Sequence, residues 1–147
     1  MRTFGDPIDI LLVEDDAGDE RMTRETLEEN KVGNTLHVAR DGQEALDFLY
    51  REGNHSDAPR PELILLDLNL PKHDGRQVLE RIKGDPDLCA IPVVVLTTSA
   101  TEQDVLGSDK HHANAYITKP VDLVQFLHAI KQLDNFFIQF AKVPQHD

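Results

Sequence analysis

Positions 63–75 read LILLDLNLPKHDG, and Asp67 follows four consecutive apolar residues, Leu63 to Leu66. A carboxylate at the end of a segment suited to burial is costly unless something neutralises it. Candidate partners stand at the ends of other apolar runs. Glu14, Asp15 and Asp16 follow IDILLV; Thr97, Thr98 and Ser99 follow PVVVL; Thr118, Lys119 and Pro120 follow AYI. Several carboxylates at one edge repel one another, and a divalent cation relieves that repulsion. Oxygen-only ligands favour Mg²⁺ over Zn²⁺. A carboxylate can also act as a nucleophile toward a phosphoryl group. A phosphoryl group on Asp67 would find its counterparts in Mg²⁺, the Lys119 ammonium and the Thr97 hydroxyl. Taken singly, each residue has a plainer role. Asp16 suits a helix N-cap, Asp67 a turn before Pro71, Lys119 the surface, and Thr97 the end of a β-branched strand. Convergence of four strand ends is what favours a site.

The elements that would position these residues alternate along the chain. Strands are expected at Ile8 to Val13, Thr35 to Ala39, Leu63 to Asp67, Pro92 to Thr97 and Ala115 to Thr118. Helices are expected over about 17–30 behind Asp16, after Asp41-Gly42 (Ala45, Leu46, Leu49), after Gly75 (Val78, Leu79, Ile82), over 101–110, and from Pro120 (Leu123, Phe126, Leu127, Ile130, Leu133). The first helix carries a weak apolar stripe of Met22 and Leu27. EGNHSDAPRPE, at 52–62, reads as a polar loop. The central strands are almost continuously apolar, as parallel strands covered on both faces are. Five strand–helix units argue for a doubly wound α/β sheet, and such sheets bind ligands outside the carboxyl ends of their strands.

The chain has 147 residues, suiting one domain over 1–147, and a formal charge of −12 from 27 acidic and 15 basic residues. So acidic a chain is not expected to bind nucleic acid through a basic surface. Cys89, the only cysteine, allows no internal disulfide and no cysteine metal set; its neighbours Leu88, Ala90 and Ile91 suggest a buried thiol. No apolar run approaches the length of a membrane span or signal peptide, so a cytoplasmic setting is the expectation.

The stretches LLVEDD, ARDGQEAL, LILLDLNLPKHDG, IPVVVLTTSA and AYITKP, in this order and across almost the whole chain, resemble the receiver domain of two-component response regulators. The resemblance implies a flavodoxin-like (βα)5 fold with strand order 2-1-3-4-5 and helices on both faces. It implies Asp67 as phosphoacceptor, Glu14 and Asp15 as the acidic pair that holds Mg²⁺ (Asp15 the more direct ligand), and Asn69 as the donor of a backbone carbonyl to the metal. Mn²⁺ and Ca²⁺ are expected substitutes. By the same resemblance Thr97 is the switch hydroxyl, Tyr116 the switch aromatic, and Lys119 the phosphoryl-pairing lysine. The donor would be a phosphohistidine on a sensor histidine kinase, and the protein a signalling switch rather than an enzyme. Glu14 stands where many receivers have Asp.

Only 28 residues follow Lys119, which suits a stand-alone receiver without an output domain. Phe136, Phe137 and Phe140 fall in an aromatic extension of the last helix, over about 134–142, and adjacent Phe136 and Phe137 point about 100° apart. One helix face cannot bury both against the sheet, so an interface is expected. The long loop before LILLDLNLP, the IPVVVLTTSAT segment and this extension resemble regulators paired with bacterial phytochromes. That subfamily implies a homodimer through the last two strand–helix units. Two other readings compete: a phosphatase or phosphotransferase with Asp67 as nucleophile, and a constitutive dimeric adaptor. The first usually has an Asp-x-Asp pair, and Asn69 stands in the second place.

Overall fold

The computed structural model describes residues 8–29, 34–68, 75–97, 115–119, 124–126 and 128. Its strands are β1 (Ile8–Val13), β2 (Asn34–Ala39), β3 (Leu63–Asp67), β4 (Val93–Thr97) and β5 (Ala115–Thr118). Its helices are α1 (Ala17–Glu29), α2 (Gly42–Tyr50) and α3 (Gly75–Gly84), with helical residues again at 124–126 and 128. All strand pairs are parallel, and the sheet order is β2-β1-β3-β4-β5. This is the doubly wound parallel sheet expected from the alternating sequence, in the strand order that the receiver resemblance implies.

The apolar runs explain how one sheet feeds two cores. Side chains alternate across a strand. Leu11, Val13, Ile64, Leu66, Val93 and Val95 therefore pack with α2 and α3, while Ile10, Leu12, Leu63, Leu65, Val94 and Leu96 pack with Leu27 of α1 and Phe126. Every residue of β3 and β4 is buried. Each such Leu, Ile or Val stabilises the fold by about 1.5–3 kcal/mol. In register, Asp67 lies beside Leu96, and Thr97 lies beside Thr118.

Helix starts follow from short polar side chains. Asp16 accepts from the Asp19 N–H at 2.7 Å, and Asp41 accepts from the Glu44 N–H at 2.8 Å, each satisfying an orphan donor of the first turn. Four details differ from the sequence reading. The polar loop contains a 3-10 turn at Gly53–His55, because its backbone closes on itself through His55 N–H to Glu52 O at 3.0 Å. In α1, Met22 is exposed and the buried residues are Thr23, Thr26 and Leu27; the Thr26 hydroxyl bonds the Met22 carbonyl, so a threonine can face the core. Cys89 is exposed, not buried: the turn after α3 tucks Leu88 and Ile91 inward and leaves the thiol outside. Strand and helix limits shift by one residue at Asn34, Glu29 and Val93. The helix expected over 101–110 and the aromatic extension lie outside the described residues. Among the described residues no helix is long and apolar enough to cross a membrane.

Candidate functional site

Four chain segments end at the same edge of the sheet. Glu14 and Asp15 leave β1, Asp67 is the last residue of β3, Thr97 the last of β4, and Lys119 follows β5. Backbone bonds tie the β1 end to the end of β2, the β3 end to β4 and the β5 end to β4. Glu14 N–H donates to Ala39 O at 2.9 Å, Leu68 N–H to Leu96 O at 3.1 Å, and Lys119 N–H to Thr97 O at 2.7 Å.

Lys119 is the centre of the cluster. Its ammonium donates to Glu14 Oε2 at 3.1 Å, Asp67 Oδ2 at 3.1 Å and Asp19 Oδ2 at 2.9 Å. An ammonium has three N–H donors, and three carboxylates take them. The side chains of Lys119, Glu14 and Asp67 are 10%, 1% and 4% exposed, so these charges act with little screening from water. Burial works to lower the Lys119 pKa. The hydrogen bonds to Glu14 and Asp19 and the charges of Asp67 and Glu14 more than reverse that, and the net effect is a rise. Lys119 is therefore a fixed cation.

Glu14 behaves differently. Burial is the main reason its pKa rises, to about 7; the Lys119 hydrogen bond opposes the rise and the Asp67 charge adds to it. Its Oε1 is buried and accepts no hydrogen bond from a described residue, although Nζ of Lys119 lies 2.9 Å away. The contact is an ion pair whose geometry does not make a hydrogen bond. Glu14, Asp15 and Asp67 each place a carboxylate oxygen within 4.8 Å of the others, with Asp15 exposed and the other two buried. An oxygen-only trio with one orphaned buried oxygen fits a hard divalent cation open to water on the Asp15 side.

Thr97 is fully buried at the end of β4, next to the strand that carries Asp67. Tyr116, half-buried in β5, packs against the core on the α2 and α3 side. Gly75 explains how the chain returns past Asp67. Its N–H bonds Leu68 O at 3.1 Å, and a Cβ there would sit 2.6 Å from Asp67 O and from Leu68 Cα. Any side chain would push the start of α3 off β3. Of the expected site residues, Glu14, Asp15, Asp67, Thr97 and Lys119 share this edge and Tyr116 lies within β5, the strand that Lys119 follows; Asn69 and the phenylalanines at 136, 137 and 140 lie outside the described residues.

Sequence reasoning missed Asp19. The signal was its spacing: Asp16 caps α1, and the residue three later is in the first turn, which returns to the sheet edge just left by Glu14.

Residues 10–131 match the response regulator receiver domain family. The response regulator Rcp1 of Synechocystis is 46% identical over 135 residues, covering 92% of each chain. Its Mn²⁺-bound crystal structure is similar with a TM-score of 0.74 at 47% identity, over 90% of this chain and 96% of that one. The bacteriophytochrome response regulator AtBRR gives a TM-score of 0.82 at 45% identity, over 87% of this chain and 93% of that one. The phosphorylated cyanobacterial phytochrome response regulator RcpA gives 0.74 at 47%, over 90% and 94%.

Proposed function

Because the chain belongs to the response regulator receiver family, we propose that it is switched by phosphorylation of Asp67 from a sensor histidine kinase of the bacterial phytochrome type. The observation that carries this reading is the buried Asp67 carboxylate, paired with Lys119 beside Glu14 at the carboxyl edge of the sheet. Likeness to regulators described as phytochrome-associated supports the choice of kinase.

In the reaction, an Asp67 carboxylate oxygen attacks phosphorus. The P–N bond of the donor phosphohistidine breaks as the O–P bond forms, and the imidazole leaves and takes up a proton. Glu14 and Asp15, with Asp67 and the Asn69 carbonyl, would hold the divalent ion, which we assign as Mg²⁺, with Mn²⁺ or Ca²⁺ able to replace it. When bound, the ion neutralises charge on the transferring phosphoryl oxygens. Lys119 moves a hydrogen bond from Asp67 to the phosphoryl group, and the Thr97 hydroxyl supplies another. Water later cleaves the O–P bond, which restores the carboxylate and releases inorganic phosphate. Turnover is slow self-phosphorylation and hydrolysis at most. Thr97 and Tyr116 couple the site to the β4–β5 side. A bound group shifts such an equilibrium only by its differential affinity for the two states.

We assign the output to a protein contact of a single domain over 1–147, with a homodimer formed through the last two strand–helix units and Phe136, Phe137 and Phe140. Val124, 78% exposed on a helical residue of this region, supports an apolar surface there. A phytochrome-type kinase is an intracellular partner, which agrees with a cytoplasmic protein.

Incubation with Mg²⁺ and a labelled acyl phosphate, with Asp67→Asn in parallel, tests this reading; label and oligomer size are followed together. The expected result is one Asp67-dependent phosphoryl group per chain. No such label sinks the reading, and rapid multiple turnover of the donor would favour the hydrolase. Label with unchanged oligomer size would reject a phosphorylation-driven dimer and leave the phosphorylation of Asp67 standing.

A further inference from the structure

We propose that Asp19 is a brake on this switch: it competes with phosphorylated Asp67 for the Lys119 ammonium. The inference rests on the reading of Lys119 as the partner of the phosphoryl group.

All three N–H donors of Lys119 are committed, to Glu14, Asp67 and Asp19. Two of these bonds have a reason to be released on activation. Glu14 belongs to the carboxylate trio that fits a cation, and Asp67 is the residue modified. Asp19 belongs to neither group. It sits in the first turn of α1, anchored by its own N–H on Asp16 at 2.7 Å, and its side chain is 36% exposed. Its 2.9 Å bond to Nζ therefore persists while the phosphoryl group arrives, and its charge opposes that group.

Asp19 is not needed to place Lys119. The lysine backbone is held by Thr97 O at 2.7 Å, and in the unphosphorylated protein two nearly buried carboxylates of the sheet edge fix its ammonium. A residue that only positioned Lys119 would strengthen phosphoryl binding. A residue that shares the ammonium after its other partners have been satisfied weakens it. The geometry favours the second role.

The test uses the full chain with Mg²⁺ and beryllofluoride, a phosphoryl mimic, followed by fluorine NMR titration. Asp19→Asn is expected to bind the mimic roughly 2-fold to 5-fold more tightly than wild type, as fits loss of one partly exposed charge. The gain should shrink at high salt, and Asp19→Glu should return affinity to the wild-type value. Asp67→Asn must abolish the signal, which ties it to the site. Equal or weaker binding by Asp19→Asn overturns the brake while Asp67-dependent binding in wild type keeps the switch. Absence of binding in wild type overturns both. Asp19 is partly exposed, so thermal unfolding of Asp19→Asn should match wild type; a folding defect would contradict a role confined to the ammonium.

Discussion

Lys119→Met is expected to lower the stability of the metal-free protein at pH 8 by about 3 kcal/mol, and to slow acyl-phosphate formation at Asp67 about 100-fold. Methionine keeps most of the lysine stem, so packing is nearly unchanged and the effect is electrostatic. Lys119 is the cation shared by Glu14, Asp67 and Asp19, and two of those carboxylates are almost wholly buried. Removing one partner of a buried charge cluster costs far more than an exposed pair contributes. The loss has two remedies, and each is measurable. Protonation of Glu14 should shrink the stability deficit near pH 5. A divalent cation should shrink it at pH 8, because the cation replaces the missing charge. Denaturant unfolding at both pH values, with chelator and with Mg²⁺, provides the check. A variant as stable as wild type at pH 8 without metal would show that the ammonium does not neutralise this site.

Glu14→Gln is expected to act in the opposite direction on the empty site and to damage the loaded one. Glu14 has a folded pKa near 7 against 4.5 for the free side chain. The folded protein thus holds a proton that the unfolded chain releases between those values. Stability from this group is full below about 4.5 and is lost as pH rises through 7. The difference between those values corresponds to about 3 kcal/mol at most. Glutamine cannot ionise, yet its amide oxygen can still accept from Lys119. The metal-free variant should therefore gain up to about 3 kcal/mol over wild type at pH 8 and lose the slope between pH 4.5 and 7. Divalent binding should weaken about tenfold or more, because one oxygen of the trio loses its charge. In wild type, calorimetry in buffers of different ionisation enthalpy should show about one proton released per metal bound at pH 6 and almost none at pH 8. Proton release that does not change with pH would remove Glu14 from the metal site.

How much of this was legible in the sequence varied with the physics. The all-apolar runs of β3 and β4 announced strands covered on both faces, and each is buried along its full length. The polar residues that end those runs announced a site because an ionisable group is rarely attached to a buried strand without a use. Asp19 was harder to see. Helix geometry, not strand periodicity, returns it to the edge, and a carboxylate in a helix first turn is ordinary for reasons of the helix dipole alone. Cys89 misled because apolar neighbours say nothing about direction in a turn, where Leu88 and Ile91 turn inward and the thiol does not. Met22 misled similarly, since two buried threonines took the place of an apolar stripe in α1. Gly75 could be assigned to the loop from sequence, but only coordinates show that a single methyl group there would collide with the backbone carrying Asp67.

The central claim is that Asp67 carries the phosphoryl group. Acyl phosphates are reduced by borohydride, which converts a phosphorylated aspartate to homoserine. The most direct measurement is peptide mass spectrometry after phosphorylation with Mg²⁺ and reduction. The expected result is homoserine at Asp67 and unmodified Glu14, Asp15 and Asp19. Reduction at another carboxylate, or at none, would contradict the account.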